Sequence, residues 1–200
     1  PIEPPEKCPS CGSELKKEDI YIRCVNPLCD AKILEQLKFF VSKDGLDIEY
    51  FGPELLKRLY DRGTIRDMAD VFRLKKDDLV ELERMGDKLA EKILASIDKR
   101  RNITLSQFLK SMGIRNVGDY VAKVIARNVG SLENLKNQSV YDLESIKEIG
   151  PEVAESVYNF FHDRDALDLV EKMKDAGVTI NKEEQAQKDE TPKKKKTFVF

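Results

Sequence analysis

Residues 108–125, FLKSMGIRNVGDYVAKVI, hold the pattern on which the fold turns. Ile114 and Val117 stand four and one before Gly118; Val121, Ala122 and Ile125 stand three, four and seven after it. The three later positions describe one face of a helix, because residues so spaced share a side at 3.6 residues per turn. The two earlier ones lie outside that helix and call for a tight turn leading into it. The same columns recur around Gly52 (Ile48, Phe51, Leu55, Leu56, Leu59), Gly86 (Leu82, Met85, Leu89, Ala90, Ile93) and Gly150 (Ile146, Ile149, Val153, Ala154, Val157). The glycines fall 34, 32 and 32 residues apart. All flanking columns are apolar in a chain that is 40% hydrophobic, an agreement expected by chance on the order of once in 10⁸ before freedom of register is allowed for. Each unit reads as helix, glycine turn, helix. Pro53 and Pro151 suit a first helical turn, and Asp87 and Asp119 suit a helix start electrostatically.

Outward from the repeat, four regions separate. Residues 1–32 hold all four cysteines; 33–180 form the helical repeat region; 181–196 are almost devoid of apolar residues and read as a flexible linker; 197–200, TFVF, read as the first strand of a truncated further domain. No run approaches the roughly 18–20 apolar residues of a spanning helix, so no membrane is expected. The opening PIEPPEKCPSCG has neither the basic nor the apolar part of a secretory signal, and a cytoplasmic setting is expected.

The cysteines follow Cys8-x2-Cys11-x12-Cys24-x4-Cys29. Two thiol pairs joined by a short loop suit a tetrahedral structural zinc, and so small a segment needs the folding energy a metal supplies. Disulfides conflict with the absence of a secretory signal, and a redox CxxC lacks its βαβ context. Only one histidine, His162, exists, which excludes most histidine-based catalysis and any metal site needing two imidazoles. It reads as a partly exposed helix residue. Gly113 to Gly118 has P-loop spacing, but Asp119 occupies the lysine position.

Thirty-five basic residues against 37 acidic give a net charge of −2, so a nucleic-acid partner has to be held by local sites and not by a global field. Glycine turns that open helices present free backbone N–H groups and the positive end of the helix dipole, a ready anion site. Candidate phosphate contacts are the turns at Gly52, Gly86, Gly118 and Gly150, assisted by Arg84, Lys88, Arg115, Lys123 and Lys147; Asp87, Asp119 and Glu148 oppose them locally. The competing reading is a helical repeat used for packing or protein contact, with glycine as an ordinary helix stop.

These residues resemble a known family. CPSCG (8–12), RCVNPLC (23–29), LEQLKFFVS (34–42), DIEYFG (47–52), FLKSMGIRNVG (108–118) and IGPEVAESVYNFF (149–161) are similar to the C-terminal half of bacterial NAD-dependent DNA ligases, over essentially the whole chain. The resemblance implies a mainly α fold: a four-cysteine zinc finger, four tandem helix-hairpin-helix motifs, a linker, and the first strand of a BRCT domain at 197–200. It implies zinc on Cys8, Cys11, Cys24 and Cys29, with NAD and Mg bound outside this chain in the complete enzyme. The adenylated lysine of the family lies in a K-x-D-G motif; Ser42-Lys43-Asp44-Gly45 is one residue too tight and reads as a turn. The implied role is therefore not catalytic. A monomer without activity of its own would hold nicked duplex DNA while other domains seal it, in replication and repair. The alternative is a repair or recombination factor with the same modules and no ligase attached; a K-x-D-G lysine upstream in the reading frame would discriminate.

Overall fold

The structure, a computed structural model, describes residues 5–18 and 20–183. It begins with a short antiparallel hairpin, β1 (Leu15–Glu18) and β2 (Tyr21–Cys24), in the register Leu15↔Cys24, Lys16↔Arg23, Lys17↔Ile22 and Glu18↔Tyr21. Around it almost nothing apolar is buried except Cys8 and Cys29, while Ile20, Tyr21, Val25 and Leu28 are exposed. Hydrophobic burial does not hold this segment together.

Everything after it packs on one apolar cluster running from Leu37 to Val178. Helix α1 (Asp30–Val41) turns back through residues 42–52 into α2 (Pro53–Asp61). Short helices α3 (Met68–Val71) and α4 (Lys76–Val80) lead to α5 (Asp87–Lys99). A three-residue strand, β3 (Asn102–Thr104), runs directly into α6 (Leu105–Ser111) and then α7 (Asp119–Val129). Short α8 (Leu132–Lys136) and α9 (Val140–Glu144) lead to α10 (Pro151–His162), and α11 (Arg164–Asp175) precedes β4 (Thr179–Asn181). The four expected hairpins are thus α1/α2, α4/α5, α6/α7 and α9/α10. Local sequence starts the helices: Asp67, Thr104, Ser131, Ser139 and Asp163 each accept a hydrogen bond from the first turn that follows, satisfying donors a helix start leaves without partners.

The mainly helical architecture is the expected one, with a duplication on top of the hairpin repeat. Helices α3, α4 and α5 begin at Met68, Lys76 and Asp87; α8, α9 and α10 begin at Leu132, Val140 and Pro151, in each case 64 residues later. The columns read from the sequence are the core of both halves. Leu56, Ala90, Ala122 and Ala154, four after the glycines, and Leu59, Ile93, Ile125 and Val157, seven after, are all fully buried. In the column three after, Leu55 is buried and Leu89 is 38% exposed, so that column lies at the rim of the helix face.

Three features differ from the sequence reading. Strand β3 interrupts the helical region and pairs in parallel with β4 (Asn102↔Thr179, Ile103↔Ile180, Thr104↔Asn181); three residues are too few for alternation to show. Helix α1 begins at Asp30, with Cys29 as its N-cap, so the cysteine segment and the helical body share residues across position 32. Chain packing also runs past residue 180. Asn181 lies in β4, and the Glu183 carboxylate accepts from the Ser106 N–H at 3.2 Å and hydroxyl at 3.0 Å; backbone pairing and polar capping need none of the apolar residues whose scarcity suggested a linker. The rest of that linker, 184–196, and the expected strand at 197–200 lie outside the described residues. Arg101 ties the halves together, donating to the carbonyls of Phe72 and Ala176 and lying 5.8 Å from the Phe72 ring. Among the described residues no helix is long and apolar enough to cross a membrane.

Candidate metal centre and nucleic-acid interface

The four cysteines converge, with all four sulfurs within 4.8 Å of one another. Cys8 and Cys11 come from a knuckle in which Gly12, at φ +71°, donates to the Cys8 carbonyl and the Cys8 N–H donates to Ser13. Cys24 ends β2, and Cys29 opens α1. The Sγ–Sγ separations are 3.8 Å for Cys8–Cys29 and 3.5 Å for Cys11–Cys24. A disulfide needs about 2.05 Å, so these are free thiols. A tetrahedron with metal–sulfur bonds of ~2.3 Å has edges of ~3.8 Å, and the observed separations fit it. Hydrogen bonds from the Ser13 side chain and backbone lower the Cys11 thiol to about 6. The backbone N–H groups of Lys32 and Ala31 in the first turn of α1 lower Cys29, while desolvation raises Cys24 to about 12. With four thiolate positions and no histidine, the centre has the donor set of a structural zinc and no open catalytic position.

The four repeat glycines occupy one structural role. Gly52, Gly86, Gly118 and Gly150 are the N-caps of α2, α5, α7 and α10, with extended backbone at φ −76°, −89°, −87° and −86°. They open helices and do not stop them, which overturns the helix-stop reading. Any residue can adopt these angles, and a Cβ added at each would meet nothing within 4 Å. Gly45, in the turn at Ser42–Gly45, is the opposite case: a Cβ there would overlap the Phe39 and Phe40 carbonyl oxygens.

Each turn is closed by the same hydrogen bond, from the N–H one before the glycine to the carbonyl four before it. The bonds are Phe51 to Ile48 at 3.3 Å, Met85 to Leu82 at 3.0 Å, Val117 to Ile114 at 3.0 Å and Ile149 to Ile146 at 3.0 Å. The residue two before the glycine has positive φ every time: Tyr50 at +63°, Arg84 at +63°, Asn116 at +64° and Glu148 at +76°. A β-turn with its third residue left-handed has that geometry. Sequence reading missed this column, because of the four only Asn116 is a type that takes the conformation readily.

The turns come in pairs. Arg58 of α2 donates to the Glu83 carbonyl in the second turn, Arg62, just after α2, donates to the Glu81 carbonyl at the end of α4, and Lys92 of α5 lies 5.7 Å from the Tyr50 ring of the first turn. The Tyr120 hydroxyl of α7 donates to the Glu148 carboxylate in the fourth turn. The acidic residues expected to oppose anion binding are engaged. Lys76 meets Asp87 at 2.8 Å and Lys123 meets Asp119 at 2.7 Å, each lysine lowering its partner's carboxyl pKa. Lys123 therefore serves Asp119 first. Arg84 is exposed, with Glu83 3.8 Å away, and Lys88 and Lys147 are exposed without an ion pair among the described residues. Arg115 stands beside Asn116 in the third turn. His162 ends α10, exposed and stacked on Tyr158 at 3.8 Å.

Family models match in the same blocks. Residues 7–31 match the NAD-dependent DNA ligase C4 zinc finger domain, 43–99 a SAM-like helix-hairpin-helix tandem and 107–170 a helix-hairpin-helix motif. The chain belongs to the NAD-dependent DNA ligase family, as its zinc-finger and helix-hairpin-helix portion. Proteins named DNA ligase from Geotalea uraniireducens (41% identical over 92% of this chain), Persephonella marina (37% over 100%) and Bacillus subtilis (38% over 87%) are similar to it. The chain spans about 28% of the length of the first two ligases and 26% of the third. The two helix-hairpin-helix matches each cover one of the pairs of turns, the first and second in one and the third and fourth in the other.

Proposed function

We propose that this chain is the portion of an NAD-dependent DNA ligase that holds duplex DNA around a nick. The backbone N–H groups at the starts of α2, α5, α7 and α10 grip strand phosphates, with Arg84, Lys88, Arg115 and Lys147 adding charge and Lys123 mainly balancing Asp119. One observation carries the reading. Four glycines recur at helix starts where neither backbone angle nor internal space requires glycine, so the requirement comes from outside the chain, as a surface that approaches the backbone closely. Cys8, Cys11, Cys24 and Cys29 hold a structural zinc that fixes the finger to α1. NAD and Mg serve the complete enzyme elsewhere, supplying the adenylyl transfer that activates a 5′-phosphate. This chain's task is binding and positioning, as a monomer in the cytoplasm during replication and repair.

The test is equilibrium binding of the zinc-loaded chain to nicked and intact duplexes across a salt series. Affinity should fall with salt with a slope of roughly 0.9 per phosphate engaged. Gly118→Val should weaken binding while the helical circular dichroism persists. Absence of binding at low salt by folded, zinc-loaded protein would sink the proposal, and equal affinity for both duplexes would assign nick recognition to other domains.

A further inference from the structure

Helix α1 is anchored to the body from its second turn onward. Leu37, Phe40 and Val41 are its buried residues, and Ile33 and Leu34 pack partly against the same cluster. Its first turn, residues 30–32, buries no apolar side chain. That turn nevertheless braces the metal centre. The N–H groups of Ala31 and Lys32 face the Cys29 sulfur, and the Lys32 ammonium donates to the Cys24 carbonyl at 3.3 Å. Helix ends that lack packing fray, and a frayed first turn would slacken two of the four ligands.

A contact from the body holds this turn. The Tyr60 hydroxyl of α2 donates to the Asp30 carboxylate at 2.6 Å, across 30 residues of sequence. Tyr60 is only 7% exposed, and the Arg66 guanidinium lies over its ring, 5.0 Å from the centroid. The phenol is thus fixed by packing before it meets Asp30, and it offers a rigid donor to an otherwise exposed helix start.

Two plainer readings compete. Asp30 suits a helix N-terminus by its charge alone, and Tyr60 could serve only to pack α2 on α1. The first does not account for a buried phenol aimed at the carboxylate. It also sets a negative charge one residue from four thiolates, the wrong sign for that centre. The second does not account for the hydroxyl, since phenylalanine would fill the same space without a polar group to satisfy.

We propose that Tyr60 is a positioning residue of the metal centre: through Asp30 it holds the first turn of α1, and with it the Cys29 and Cys24 ligands, in the geometry that retains zinc. The inference rests on the structural-zinc reading above and extends the centre's outer shell into the helical body. Outer partners of this kind orient ligands that they never touch.

The test measures zinc affinity of the whole chain by competition with a chromophoric chelator, alongside the melting temperature of the zinc-free protein. Tyr60→Phe keeps the ring and should bind zinc about tenfold more weakly. Asp30→Ala, at an exposed position, should match it, and the double variant should be no weaker than either, because both remove one bond. Asp30→Asn keeps an oxygen acceptor and should bind zinc at least as well as wild type. Unchanged zinc affinity in Tyr60→Phe, with a lower melting temperature of the zinc-free body, reduces the bond to packing and overturns the proposal. Losses that add in the double variant, or an asparagine variant as weak as the alanine one, overturn it too. Wild type that takes up no zinc removes the zinc reading, and this inference with it.

Discussion

The finger and the hairpin body reach order in water by different means. The finger buries two cysteines and leaves Ile20, Tyr21, Val25 and Leu28 exposed; its fixed geometry comes from four sulfurs at one point. The body buries a continuous apolar cluster from Leu37 to Val178, and its helices need no ligand. Cys29 joins the two, as a sulfur of one and the N-cap of a helix of the other. Cooperativity should therefore stop at α1, and five measurements order themselves by how hard they press on that boundary.

Metal removal presses hardest. Structural zinc contributes on the order of 10 kcal/mol of apparent binding free energy in small fingers, so a chelator should abolish the β1–β2 hairpin while most helical circular dichroism stays. Collapse of the helical signal with the metal would mean a single cooperative unit. The complementary blow is Leu59→Ala, at a fully buried position. It should cost the body about 2–5 kcal/mol in denaturant unfolding and leave zinc content at one per chain.

Glycines sharpen the comparison within the body. Gly45→Ala should destabilise by about 1–3 kcal/mol, because its methyl group overlaps backbone carbonyls that cannot rotate away. Gly118→Ser should leave stability unchanged or raise it by a few tenths of a kcal/mol, serine being a good N-cap, yet reduce duplex affinity about tenfold, ~1.4 kcal/mol. A serine variant that binds DNA like wild type would return Gly118 to a merely structural position.

The smallest effect concerns pH. Asp87 and Asp119 are held below the usual carboxylate range, first by hydrogen bonds from Lys76 and Lys123, as are Asp142 by Ser139 and Glu171 by Lys174. A folded-state pKa below the unfolded one stabilises above the unfolded pKa and loses that contribution as pH falls through the folded value. These pairs are exposed, so the melting temperature of the body should stay flat from about pH 8 to 5 and decline gently below about pH 4. A decline beginning near neutrality would implicate a different group.

Much of the candidate site was legible in the chain itself. Cys8-x2-Cys11 and Cys24-x4-Cys29 announce convergent thiols by ligand chemistry and spacing alone. The columns at three, four and seven after each glycine follow from helical period, and Leu56, Ala90, Ala122 and Ala154 are buried as that period requires. The positive φ at Tyr50, Arg84, Asn116 and Glu148 was not legible. Three of those residue types resist the conformation, which the packed apolar residues on either side impose. Nor was the meeting of β3 with β4, whose partners lie some 77 residues apart in the register Asn102↔Thr179.

The four helix starts, the four-sulfur set and the apolar faces follow from the residues alone, because helical period, capping and ligand chemistry act within one or two turns of chain. Which turns stand in pairs, and that Lys16, Arg23, Lys32 and Arg115 border one concavity, came from the packing of distant segments. Those outcomes depend on strand register and on helices packed across long sequence separations, where no local signal survives and the closing of a common core sets the geometry.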